Sequence, residues 1–323
     1  MKAITFKKFG GPEVLEVEDI EIAKPRANEV LIKNLSIGLN FIDTYHRSGL
    51  YPIPLPSGIG LEACGKIEQI GSNVKLFKIG DRVTHASMPI GAYSEKQIMP
   101  EEKLIRVPEG VSNEIASCIT LKGITAEYLL HRTYPIKKGD KILYHAAAGG
   151  LGQILCQWAN SLGAEVIGTV GSDQKIEIAK KNGCHHVINY SVKNFVEEVE
   201  KIVGKNGIDV VYDGVGLKTF EGSIKVLKVR GMMVAFGNAS GYVDTIDVKN
   251  HINAKGLFFT RPSIAHYTLE RKELEESTKK VFDAIINKKF SVQISKKYKL
   301  VEAKTAHEDL ESRKLEGPAV IIP

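Results

Sequence analysis

Residues 141–152 read KILYHAAAGGLG, with Ala146, Gly149 and Gly152 spaced three apart. Side chains this small let a backbone pass close to an anion. An apolar run precedes them, and helical periodicity follows. The turn therefore heads a helix whose unpaired N–H groups and positive dipole end suit a pyrophosphate, with Gly149, Gly150 and Leu151 lining it. A glycine-rich triplet alone says little. Placed between a strand and a helix, it reads as a dinucleotide turn. A second group follows the next apolar segment, EVIGTV at 165–170. NAD-binding folds usually place an acid there, on the ribose hydroxyls. Gly171, Ser172 and Lys175 stand there instead, and a hydroxyl with an ammonium suits the 2′-phosphate of NADPH. Asp173 lies in the same loop and, as a first helical residue, is expected to face the helix terminus. A third group, Asn40, Phe41, Asp43, Tyr45, His46 and Tyr51, gathers polar and aromatic side chains in a loop-rich stretch. Tyrosine hydroxyls there can hydrogen-bond an oxygen as negative charge develops on it.

The elements that must position these groups fall into three regions. Up to about residue 120 the chain reads as short β segments, such as 2–6, 29–34, 65–70 and 82–85, broken by Gly and Pro turns. From about 121 to 262, strands at 141–145, 165–170, 185–190, 208–213, 232–237 and 256–260 alternate with helices near 150–162, 173–181 and 192–203. That alternation predicts a parallel sheet covered on both faces. After residue 271 come an amphipathic helix with Leu274, Val281, Phe282 and Ile285 inward, a helix over 302–313 and a final strand, AVIIP.

Length and composition are those of a two-domain globular protein. The chain has 323 residues, 43% hydrophobic and 25% charged, and a net charge of +6. No run approaches the ~18 apolar residues of a membrane helix, and no secretory signal is visible. Cys64, Cys118, Cys156 and Cys184 are scattered, so no CxxC metal motif or small disulfide framework forms. A reducing cytoplasm is the expected setting. The lysines are spread along the chain, which permits RNA binding without indicating it.

Over nearly its whole length the sequence resembles the quinone oxidoreductases, the zinc-free NADPH:quinone reductase branch of the medium-chain dehydrogenase/reductase superfamily. The resemblance rests, in order, on GGPEVL (10–15), GLNFIDTYHRSGLY (38–51), GLEACGKIEQIG (60–71), GDRV (80–83), LKGITA (121–126), GDKILYHAAAGGLGQILCQW (139–158), VYDGVG (211–216), FGNASG (236–241), TRPS (260–263) and AHEDLESR (306–313). It implies a GroES-like, mainly β catalytic domain (1–122), a Rossmann NADPH-binding domain (123–265) and a C-terminal segment (266–323) that returns to the catalytic domain. It also implies an active site in a cleft and a homodimer pairing near MMVAFG. By the same resemblance, Asn40, Asp43, Tyr45 and Tyr51 line the substrate and nicotinamide site, with Phe41 and Thr125 against the nicotinamide. Tyr190 lies near the adenine or 2′-phosphate, and Phe236, Gly237 and Arg261 close over the cofactor. Zinc-dependent relatives carry cysteine where this chain has Asn40 and histidine where it has Leu61, and amide and leucine cannot replace thiolate and imidazole. Without that Lewis acid, an electron-poor quinone is the expected hydride acceptor. The alternatives are reduction of α,β-unsaturated aldehydes or ketones, and an RNA-binding relative with weak activity.

Overall fold

Apolar side chains that alternate along short segments build the N-terminal strands of the computed structural model, which describes residues 1–323. They are β1 (Lys2–Phe6), β2 (Glu16–Asp19), β3 (Glu29–Gly38), β4 (Ser57–Gly58), β5 (Glu62–Ile70), β6 (Arg82–Ala86), β7 (Lys96–Pro100) and β8 (Ile105–Arg106). Helix α1 (Phe41–Ser48) leaves β3 through Asn40, whose backbone is extended. Asp43 reaches back to the Asn40 N–H at 3.0 Å, and Gly49 ends the helix at φ 82°, where a side chain would be strained. Helix α2 (Asn113–Tyr128) follows.

Six parallel strands come next: β9 (Lys141–His145), β10 (Glu165–Val170), β11 (His186–Asn189), β12 (Ile208–Asp213), β13 (Leu227–Ala235) and β14 (Phe258–Thr260). Their order is β11-β10-β9-β12-β13-β14. Counted from β9, this is the 3-2-1-4-5-6 order of the doubly wound dinucleotide fold, with its switch point between β9 and β12. All of β12 is buried, as a sheet covered on both faces requires. The connections are α3 (Gly150–Ser161), α4 (Ile176–Lys181), α5 (Phe195–Val203) and α6 (Phe220–Val226), with the short α7 (Ile264–Tyr267) after β14. Contrary to the expected dimer edge, β13 with its Met232 and Met233 is an inner strand, because the three-residue β14 pairs outside it.

The chain closes with α8 (Arg271–Ile286), β15 (Lys296–Lys299), α9 (Ala303–Glu311) and β16 (Ala319–Ile322). β16 pairs antiparallel with β3, Ile321 against Ile37 and Val320 against Gly38. Two units result: Met1–Ile124 with Thr268–Ile286 and Val292–Pro323, and Thr125–Tyr267 with Asn287–Ser291. The C-terminal segment therefore does not belong wholly to the first unit. Ser291 exchanges two 3.0 Å hydrogen bonds with the Gln157 side chain, and Phe290 packs on Trp158 with ring centres 5.5 Å apart. The core of the first unit joins both chain ends, with Ile4, Phe6, Ile37, Tyr93, Tyr298 and Ile321 in one cluster. No helix is long and apolar enough to cross a membrane.

Candidate active site

The glycine turn connects β9 to α3 in the second unit. Ala146 adopts φ 64°, and Gly149 is extended at the helix cap. A Cβ on Gly152 would lie 2.6 Å from both the Ala146 and Ala147 carbonyl oxygens, so only glycine lets helix and turn approach this closely. Gly149, Gly150 and Leu151 remain partly accessible at the head of α3. The Gly149 N–H donates to the Ala146 carbonyl at 2.9 Å, and the first N–H groups of the helix beyond it face a pyrophosphate position. Behind the turn, His145 is fully buried between the Thr169 hydroxyl (2.8 Å) and the Ser223 hydroxyl (2.9 Å). Burial lowers its pKa, against the pull of Asp213, so it stays neutral. Asp213, at the end of β12, accepts from the Val215 and Gly216 N–H groups and the Thr219 hydroxyl. These bonds hold the loop on the far side of the switch point.

Parallel strands bring the remaining second-unit candidates to one edge. Gly171, Ser172 and Lys175 follow β10, Tyr190 follows β11, Phe236 and Gly237 follow β13, and Arg261 follows β14. The Ser191 hydroxyl donates to the Gly171 carbonyl at 2.9 Å, tying the β10 and β11 loops. The helix expected over 173–181 begins as a 3-10 turn, and Asp173 accepts from the Asn189 amide at 2.8 Å rather than capping it. That bond engages Oδ1 of the loop's one acid, which is itself exposed, and Ser172 and Lys175 are partly exposed. Phe236 stacks on Tyr144, 6.0 Å between ring centres, and Gly237 packs where a Cβ would lie 2.5 Å from the Gly214 oxygen. Thr125 also belongs to the second unit and hydrogen-bonds Tyr128.

In the first unit, α1 gathers the acceptor-site candidates. Phe41, Tyr45 and Tyr51 form an aromatic cluster, with Tyr45 and Tyr51 edge to face at 5.2 Å. Asn40 is only 3% exposed, and its carboxamide lies between charges. Its Nδ2 donates to Glu62 Oε2 at 2.8 Å, and its Oδ1 accepts from Lys122 Nζ at 2.6 Å. Asp43, expected against the cofactor, is instead fully buried. Its Oδ2 accepts from the Asn40 N–H and the Tyr93 hydroxyl, both at 3.0 Å, and Oδ1 has no partner. Burial pushes the Asp43 carboxyl up to about 7. The chain of contacts continues from Tyr93 to His307 Nε2 (3.2 Å), from His307 Nδ1 to Arg47 (2.9 Å), and from Arg47 to both oxygens of Glu311. Arg47 only donates, so His307 accepts at Nδ1 and carries its proton on Nε2. Glu62, Lys122, Tyr93 and Arg47 escaped the sequence reading, although three lie within or beside motifs singled out there.

Known proteins resemble this chain in sequence and in fold over its full length. Residues 26–138 match the family model "Alcohol dehydrogenase GroES-like domain", and residues 150–287 match "Zinc-binding dehydrogenase". Quinone oxidoreductase 1 of Escherichia coli is 47% identical, covering 99% of each chain. The 2-haloacrylate reductase of a Burkholderia species is 43% identical over 100% of this chain and 99% of its own. The crystal structure of Escherichia coli quinone oxidoreductase complexed with NADPH superposes with a TM-score of 0.97 at 46% identity, covering 100% of both chains. The zinc in one model's description does not fit the residues here. Both ends of Asn40 are committed, Leu61 is buried, and no three His, Cys, Asp or Glu side chains gather as a metal group. The glycine turn and the edge it faces do fit a dinucleotide.

Proposed function

Because the chain belongs to the quinone oxidoreductase family, we propose that it is an NADPH-dependent reductase that passes hydride to quinones without a metal. The observation that carries this reading is the bare turn at the head of α3, together with a hydroxyl and an ammonium at the end of β10, where the one acid, Asp173, is tied to Asn189. Gly149, Gly150 and Leu151 would hold the pyrophosphate, and Ser172, Lys175 and Tyr190 the 2′-phosphate end. Phe236, Gly237, Arg261 and Thr125 would line the rest of the cofactor. NADPH, when bound, supplies a hydride. The overall change is NADPH + quinone + H⁺ → NADP⁺ + hydroquinone, with the proton drawn from water. Asn40, Tyr45 and Tyr51 would border the acceptor, donating hydrogen bonds to the oxygen that gains charge, while Phe41 would pack against the nicotinamide. Positioning supplies much of the rate in such a transfer.

A second reading, reduction of a conjugated alkene, draws support from the relative named 2-haloacrylate reductase. The enzyme is taken to work in the cytoplasm as a homodimer. The outer edge of β14, where Phe258 is 57% exposed, is one of the two edges of the parallel sheet and would serve for pairing between copies. The deciding experiment follows NADPH oxidation with 1,4-benzoquinone, 9,10-phenanthrenequinone and 2-alkenals, with and without a chelator. Turnover on quinones that is indifferent to chelation is expected. Turnover confined to alkenals selects the second reading, and loss of rate on chelation refutes the metal-free mechanism.

A further inference from the structure

Asn40 is gripped by two charges of opposite sign, one at each end of its carboxamide. Lys122 Nζ lies 2.6 Å from Oδ1, and Glu62 Oε2 lies 2.8 Å from Nδ2. An ammonium has nothing but donors. Both oxygens of Glu62 face N–H donors, since Oε1 accepts from the Leu121 N–H at 2.7 Å. Turning the amide over would set NH₂ against ammonium and oxygen against carboxylate, two repulsions in place of two charge-assisted bonds. The anchors are themselves held. Lys122 also donates to the Leu39 carbonyl at 3.1 Å and stands 3.9 Å from Glu62. Gly38 leaves room for the acid, because a Cβ there would lie 2.3 Å from Glu62 Oε2. Asn40, Glu62 and Lys122 are 3%, 0% and 7% exposed. An amide nitrogen has two hydrogens, and Glu62 uses one. The other has no partner.

We propose that Lys122 and Glu62 are positioning residues that lock the Asn40 carboxamide, so that Asn40 meets the acceptor only as a donor, through its remaining N–H. This rests on the reading that Asn40 borders the acceptor. It narrows the acceptor to molecules whose oxygen gains negative charge as hydride arrives: quinones and alkenes conjugated to a carbonyl or carboxylate. Lys122 transfers no proton. The same grip repels a metal ion, because an ammonium already balances Glu62.

The double variant Lys122→Met/Glu62→Gln removes both charges together and frees the amide to turn. Its melting temperature is expected to stay near wild type and its KM for NADPH within about twofold, while kcat on 1,4-benzoquinone falls roughly 10–100-fold, the scale of a lost or misdirected oxyanion donor. Wild-type kcat in a stable double variant overturns the lock, since the pair then serves charge balance alone. Glu62→Gln, isosteric and able to fold should the double variant fail, is expected to lose at least about tenfold in kcat. Unchanged turnover there also overturns the proposal. Side-chain amide NMR gives a reading independent of activity, with Asn40 identified by its loss in Asn40→Ser. One Asn40 proton should be shifted far downfield by Glu62 and return in Glu62→Gln. Without that shift the lock is refuted, whatever the enzyme reduces. A shifted proton in a protein that reduces no conjugated acceptor keeps the lock and refutes only the reductase reading.

Discussion

Asp43 and His307 lie two hydrogen bonds apart on one buried chain, and their proton equilibria push folding in opposite directions. Burial lifts the Asp43 carboxyl from 3.8 to about 7, opposed by the Asn40 N–H, the Tyr93 hydroxyl and Lys122 and reinforced by Glu62. Burial, helped by the Arg47 guanidinium, pushes His307 from 6.5 down to about 3. A raised acid stabilises the fold fully below its unfolded value of 3.8, and that contribution is lost as pH climbs to about 7. A histidine kept neutral costs the fold progressively more as pH falls from 6.5 toward about 3. Each proton contributes a slope of about 1.4 kcal/mol per pH unit, so between those limits the two slopes cancel. Asp43→Asn removes only the first and keeps an oxygen for the Tyr93 hydroxyl. Relative to wild type, its stability should rise by roughly 3 kcal/mol from about pH 4.5 to about pH 6.5. His307→Gln should show the mirror image. Urea unfolding followed by far-ultraviolet circular dichroism at half-unit pH steps measures both. Parallel wild-type and Asp43→Asn curves would refute proton uptake at Asp43 on folding.

Three further outcomes are expected. Lys175→Ala should raise KM for NADPH roughly 10–100-fold, the worth of a charge-assisted phosphate contact, and leave KM for NADH nearly unchanged; equal shifts dismiss the 2′-phosphate assignment. Gly152→Ala forces a Cβ to within 2.6 Å of two backbone oxygens, so the turn must shift. About 1–3 kcal/mol of stability and most NADPH affinity should be lost, and a calorimetric titration matching wild type would count against the turn as the phosphate site. Arg47→Met strips His307 Nδ1, the Gly10 carbonyl and Glu311 of their shared donor. Glu311 is 37% exposed and can rehydrate, which trims the usual cost of a broken buried pair to roughly 2–3 kcal/mol. A loss under about 1 kcal/mol in urea unfolding would show that Arg47 is not the keystone of that chain.

The second unit was legible because its signals are local. An apolar run such as KILYH, a bare turn and a helical stripe through Ile154, Leu155 and Trp158 each declare themselves within a dozen residues. Six strands follow from the same alternation, whereas their order is set by pairings between distant segments. The expected pairing at MMVAFG came from the family resemblance; 256–260 reads as a strand, but nothing local records that β14 pairs outside β13. The α1 cluster was legible as residue types, but the direction of each side chain was not. Asp43 turns inward because the capping geometry points it at the Asn40 N–H. Lys122, Glu62, Arg47 and His307 find their partners across separations of 22 to 264 residues, and no local pattern records such pairs.

The pairing of β16 with β3 has a consequence for how the chain is made. Ile37 and Gly38 leave the ribosome well before their partners Ile321 and Val320, which lie more than 280 residues further along the chain. At about 5–20 residues per second, translating the roughly 280 residues between them takes on the order of 15–55 s. Through that interval the end of β3 is an open, apolar edge of the kind that recruits other strands. Nascent-chain shielding, from a chaperone or from the ribosome itself, therefore matters more to this unit than to the parallel sheet, whose strands are all complete by Thr260.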